Sequence, residues 1–99
     1  MSYSFINRPS VRFDIIEAVG YYKKINPEIA KQFLFRIREA KAYIARTPHG
    51  FQIKYNKVRT LLLRQFPYHI HYLVDDTKQV IVILAIINAY KNPTDFSNR

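Results

Sequence analysis

The sequence predicts an α+β domain: an N-terminal strand, a helical hairpin, then a three- to four-stranded, mostly antiparallel sheet carrying both helices on one face. Three observations predict it. Apolar residues recur at spacings of three and four through two consecutive stretches, with an Asn-Pro break between them. From Phe51 onward the period changes, and β-branched and aromatic residues dominate. A polar Asp75-Asp76-Thr77-Lys78 stretch separates the last two apolar runs, as a hairpin turn does.

Each element follows from its residues. Tyr3 to Asn7 reads as a short strand. Pro9 and Ser10 then open a helix, with the Ser10 hydroxyl expected to cap an unpaired amide of the first turn. Val11, Ile15, Ala18 or Val19, and Tyr22 form its apolar stripe, and it should end near Lys24 and Ile25. Asn26-Pro27-Glu28 starts the second helix: Asn caps, Pro occupies the first helical position, and Glu faces the positive end of the dipole. Ile29, Phe33, Ile37, Ala40 and Ile44 carry its stripe, and Thr47-Pro48-His49-Gly50 stops it. So short a linker forces the two helices into a hairpin. Strands are expected over Phe51–Tyr55, Val58–Phe66, Tyr68–Val74 and Gln79–Ile87. The last is apolar on both faces and should lie inside the sheet, while Pro67 marks a bulge or an edge. Tyr72 alternates with Ile70 and Val74 and should face the core; Tyr21, Tyr22 and Tyr43 are expected to serve mainly in packing.

Ninety-nine residues, 48% of them hydrophobic, suit one domain over residues 1–99 with a single core. The absence of cysteine excludes disulfides and thiolate metal sites. The longest apolar run, Val80 to Ile87, is strand-length and far short of the roughly 20 residues a membrane span needs. The N-terminal residues have no signal-peptide core, and the expected location is the cytoplasm. Sixteen Lys and Arg against seven Asp and Glu give a net charge of +9, a field that attracts nucleic acid, acidic proteins or anionic lipid. No acidic residue lies between Glu39 and Asp75, an interval holding Lys41, Arg46, Lys54, Lys57, Arg59, Arg64 and all three histidines. The distribution favours an anion-binding face.

The chemistry available is narrow. With only Gly20 and Gly50, there is no glycine-rich phosphate loop. All four serines lie near the termini, which disfavours a Ser-His-Asp triad. His69 and His71 share one strand face, but a third metal ligand would have to come from His49 or a distant acid, so neither a metal nor a cofactor is expected. What remains is a basic, aromatic surface. Lys54, Lys57, Arg59, Arg64, His69 and Tyr90 are candidates to neutralise phosphates or an acidic partner, and tyrosines can stack on bases.

Several stretches, in order, resemble one family. They are Asp14-Ile15-Ile16-Glu17-Ala18-Val19-Gly20-Tyr21-Tyr22, Ile44-Ala45-Arg46-Thr47-Pro48, Val58-Arg59, Phe66-Pro67-Tyr68-His69-Ile70-His71-Tyr72, and Tyr90-Lys91-Asn92-Pro93 after a hydrophobic strand. From Phe5 to Phe96 the chain resembles the RelE/ParE superfamily, the toxins of bacterial type II toxin–antitoxin pairs. The resemblance implies growth inhibition, a role in plasmid stabilisation, and a cognate antitoxin encoded by the adjacent gene, with the two chains forming a hetero-oligomer. It implies no membrane partner.

The superfamily divides by activity. RelE-like members cleave mRNA on the ribosome, using basic side chains on the sheet and a late Tyr or His. Aligned with them, Arg59 keeps one basic position, a neighbouring one falls on Leu61, and an arginine position falls on His69. The C-terminal arginine falls near Tyr90 and the late tyrosine on Phe96, so the nuclease set is incomplete. Candidate catalytic residues on that reading are Arg59, His69, Tyr90 and Lys91. ParE-like members poison DNA gyrase without bond chemistry and show the Phe-Pro-Tyr and Asn-Pro features found here. The resemblance therefore favours a ParE-like toxin over an enzyme, with Lys54, Lys57, Arg59, Arg64, His69, His71, Tyr90 and Lys91 as target- or antitoxin-binding residues. A ribosome-dependent nuclease is the alternative, and a non-toxic RNA-binding or adaptor domain the second.

Overall fold

A computed structural model describes residues 2–91 and 94–99. The elements run β1 (Ser4–Asn7), α1 (Pro9–Ile25), α2 (Pro27–Arg46), β2 (Ile53–Tyr55), β3 (Val58–Leu62), β4 (Tyr68–Asp75) and β5 (Val80–Asn88). They form one five-stranded sheet in the order β1-β5-β4-β3-β2. The four later strands pair antiparallel, while β1 pairs parallel to β5, placing Ser4 to Asn7 opposite Val80 to Ile83. The expected helical hairpin is present. Asn26 ends α1 through its backbone N–H on the Tyr22 carbonyl and caps α2 by accepting from the Glu28 amide at 2.9 Å.

Local details depart from expectation where backbone chemistry outweighs propensity. Arg8, not Ser10, is the N-cap of α1 and makes no side-chain bond; Pro9 starts the helix one residue earlier, leaving Ser10 inside the first turn. Strand β2 begins at Ile53 rather than Phe51. Strand β3 stops at Leu62, well before Phe66, because the chain reverses through Gln65 at φ 74° and reaches Pro67, which has no amide to offer a ladder. The freed Leu63 and Phe66 turn into the core beneath the helices. Tyr21 and Tyr43 lie at the surface, beside rather than on the helix stripes, where Tyr21 packs edge-on to Tyr22 at 5.1 Å and Tyr43 lies 5.1 Å from the Arg46 guanidinium.

Alternation sorts the sheet into two faces. On the helix side, Ile70, Tyr72, Ile81, Ile83 and Ile86 meet Val11, Ala18, Phe33, Ile37, Ala40 and Ile44. Phe33 is fully buried, and among it, Tyr22, Phe66 and Tyr68 four ring pairs have centroids 5.0–5.5 Å apart. Among the described residues, no helix covers the opposite face. Val58, Leu84 and Ala85 form its buried centre, flanked by Tyr55, Leu73, Val82, Ile87 and Phe96. A bulge makes this possible: the β4–β5 register passes from His71↔Ala85 to Tyr72↔Ile83, so Leu84 is an extra residue turned onto the helix-free side. As expected, β5 is apolar on both faces and interior to the sheet.

Candidate functional site

The helix-free face supplies a cleft of about 500 Å³. Lys54 on β2, Thr60 on β3, His69 and His71 on β4, and Ile87 and Asn88 on β5 line it, with Lys91 and the segment Thr94 to Phe96 at its border. Period-two geometry brings these groups together, because Thr60 lies opposite His71 across the β3–β4 ladder and His71 opposite Ala85 across β4–β5.

The two imidazoles are 6.1 Å apart between centroids and nearly perpendicular. Burial lowers the His69 pKa, and Lys54 lowers it further. Burial also depresses His71, to about 4, with His69 and Arg99 adding to the effect. His71 is therefore neutral at pH 7. Its Nδ1 lies 3.0 Å from the Tyr55 hydroxyl, whose oxygen accepts from the Phe96 amide at 3.2 Å. Phe96 completes the site, its ring edge-on to His71 at 5.1 Å.

The structure divides the residues singled out from sequence. Lys54, His69, His71 and Lys91 share the cleft. Lys57 is exposed in the β2–β3 turn, where Asn56 and Lys57 both have positive φ, 40° and 67°. Tyr90 is 86% exposed and outside the cleft lining. Arg64 pairs with Glu39 of α2 at 3.5 Å, away from the cleft. Arg59 departs most from an open, accessible position: it pairs with Tyr72 across the ladder and so takes the helix-side face. Its Nη1 donates to the carbonyls of Phe51 at 2.6 Å and His49 at 3.0 Å. Beside it, the buried Tyr72 hydroxyl, its pKa pushed up to about 12 by burial, donates to the Pro48 carbonyl at 2.8 Å. Both residues hold down the α2–β2 connection.

His49 cannot serve the His69–His71 pair as a third ligand. It bonds Asp76 at 3.0 Å, and Tyr3 donates to the same carboxylate at 2.7 Å. Those two hydrogen bonds hold Asp76 below its ordinary carboxylate range. Among the described residues, no group of three or more His, Asp or Glu side chains is arranged to hold a metal ion. No helix among them is long and apolar enough to cross a membrane.

Two further residues escaped sequence reasoning. Asp14 lies at the border of the α1 apolar stripe, three residues after Val11 and four before Ala18, a placement that hints at a buried partner. That partner is Arg99, whose guanidinium meets both carboxylate oxygens at 2.5 and 2.9 Å. Asn92 and Pro93, part of the sequence resemblance, lie outside the described residues.

No protein-family model matches the sequence, and no curated protein matches it by sequence. Its backbone, however, is similar to solved toxin–antitoxin structures. A chain of the chromosomal ParDE system from P. aeruginosa superposes with a TM-score of 0.74 at 23% identity, covering 87% of this chain and 95% of that one. A double arginine-to-alanine variant of E. coli toxin RelE in the free state gives 0.60 at 15% identity over 91% and 86%. The RelBE2 toxin–antitoxin complex from Mycobacterium tuberculosis gives 0.57 at 20% identity over 89% and 99%. The chain has the RelE/ParE-type fold.

Proposed function

We propose that this protein is the toxin of a type II toxin–antitoxin pair, that it arrests growth by poisoning DNA gyrase, and that an antitoxin encoded beside it neutralises it. The observation that carries the reading is the backbone likeness over 87% of the chain to the ParDE structure, at a TM-score of 0.74 against 0.60 and 0.57 for the RelE and RelBE2 structures. The cleft chemistry also supports binding over bond cleavage. Metal-free RNA cleavage needs a proton donor and acceptor plus cations around the phosphate. Here Arg59 and Arg64 are turned elsewhere, and Phe96 brings no hydroxyl. His71 is neutral, and its Nδ1 is already hydrogen-bonded to the Tyr55 hydroxyl.

Lys54, Lys91 and His69, with Lys57 and Tyr90 nearby in sequence, are the residues proposed to meet the target or the antitoxin. The acid-free interval suits an antitoxin segment that is acidic, disordered when free, and ordered on binding. One observation favours a ribosome-dependent nuclease as the second reading. His69, with its pKa lowered, stands as a neutral base in the same cleft as Lys54 and Lys91.

Controlled expression in a bacterium tests the toxin reading: growth should stop, and the product of the adjacent gene should restore it. Purified protein should then inhibit gyrase supercoiling or trap cleaved DNA, and leave mRNA intact in a translating extract. Cuts in the ribosomal A site would replace the gyrase reading with the nuclease. Unimpaired growth would leave the non-toxic binding domain.

A further inference from the structure

The helix-free sheet face is not left bare. Residues 94–99 run across it from the β2–β3 turn to α1, and the contacts along that path are continuous. Asn56 Nδ2 donates to Asp95 Oδ2 at 2.6 Å, and the Phe96 amide donates to the Tyr55 hydroxyl. The Phe96 ring packs with the cluster centred on Val58, Leu84 and Ala85. The Arg99 amide turns back onto the Phe96 carbonyl at 3.1 Å, and its guanidinium lies 4.9 Å from the Phe96 ring centroid. That guanidinium then reaches Asp14 with both Nη atoms and the Leu84 carbonyl at 3.2 Å.

The far anchor is built differently from a surface ion pair. Strand β1 covers the edge of β5 only as far as Ile83, so the backbone beyond it lacks a strand neighbour on that side. Asp14 fills part of that edge by accepting from the Ile86 amide at 3.0 Å. Its side chain is 8% exposed and that of Arg99 is 25% exposed. A carboxylate so buried needs a cation, and a bidentate guanidinium meets that need with fixed geometry. By contrast, the fastening on the Asn56 side is exposed. The strap therefore has one strong end and one weak end.

We propose that residues 94–99 are a strap latched by Arg99 on Asp14, closing the apolar half of this sheet face, and that release of the latch uncovers Ala85 and its neighbours without unfolding the domain. Opening exposes the cluster of Val58, Leu84 and Ala85 against which Phe96 packs. The inference rests on these contacts alone and does not depend on the toxin reading.

The absence of cysteine makes the test direct. Ala85→Cys places a thiol under the strap, and Ile83→Cys places one in the helix-side core; both positions are fully buried. Thiol labelling is timed for each, alone and combined with Asp14→Asn or Arg99→Ala. The expected result is at least tenfold faster labelling at position 85 with either latch variant, and an unchanged rate at position 83. Equal acceleration at both positions would mean that the pair stabilises the whole domain, and no acceleration at position 85 would mean that it latches nothing. Either overturns the proposal. Should Ala85→Cys not fold, hydrogen exchange of Arg99→Ala decides in its place. The Phe96 amide must lose at least tenfold protection while the amides of β4 keep theirs, and any other pattern refutes the latch.

Discussion

Arg59→Ala is expected to act on stability before it acts on any target. The guanidinium donates at 2.6 Å to the partly buried Phe51 carbonyl and at 3.0 Å to the more exposed His49 carbonyl. A hydrogen bond involving a charged group contributes about 1.5–3 kcal/mol, and solvent competes for the second of these two. The expected loss is about 2–3 kcal/mol in all. A domain of this size shifts by about 5 °C per kcal/mol, so Tm should fall by about 10–15 °C. Arg59→Lys should recover only part of that, because one ammonium lacks the planar fork that spans two acceptors. Tyr72→Phe removes the neighbouring bond to Pro48 and leaves a buried carbonyl short of a donor, costing about 1–3 kcal/mol. Since both side chains restrain the same connection, the double variant should lose less than the sum of the single ones. Calorimetry and growth arrest are to be measured on the same variants. A Tm within about 2 °C of the parent, together with lost growth arrest, would refute the structural role and return Arg59 to the functional surface.

Three further outcomes are expected. Lys54→Ala combined with Lys91→Ala should leave Tm within about 2 °C while relieving growth arrest, since Lys54 and Lys91 are both exposed; unchanged arrest would remove the cleft from the site. Stability should fall as pH drops from about 6.5 toward 4. His71 titrates near 4 when folded and near 6.5 when unfolded, so the unfolded chain binds more protons in that window, and His69 adds with the same sign. Discounted for the ring's partial exposure, the loss due to His71 is about 1–2 kcal/mol, readable as a lower urea midpoint and reduced in His71→Gln. Asn26→Ala removes the cap of α2 and should cost about 1 kcal/mol by chemical denaturation, whereas Ser10→Ala, whose side chain is not the cap of α1, should cost less.

What the sequence determined by itself was what depends on neighbours in the chain. The stripes of both helices, the Asn26-Pro27 junction and the Asp75–Lys78 turn were legible because propensity, capping and period all act within a few residues. The same locality explains why His69 and His71 could be placed on one face, as alternate residues of a strand. Which face that would be was another matter. Strand side chains alternate, so one residue of register decides whether Arg59 joins the histidines or opposes them; its pairing with Tyr72 sends it to the helix side. The parallel docking of β1 on β5 and the meeting of Asp14 with Arg99 join positions more than 70 residues apart, while the bulge at Leu84 is set where β4 pairs with β5. Nothing local encodes those contacts. They exist because the edge of β5 beyond Ile83 and the buried carboxylate of Asp14 each need a partner, and the folded chain supplies it only once the sheet has closed against α1.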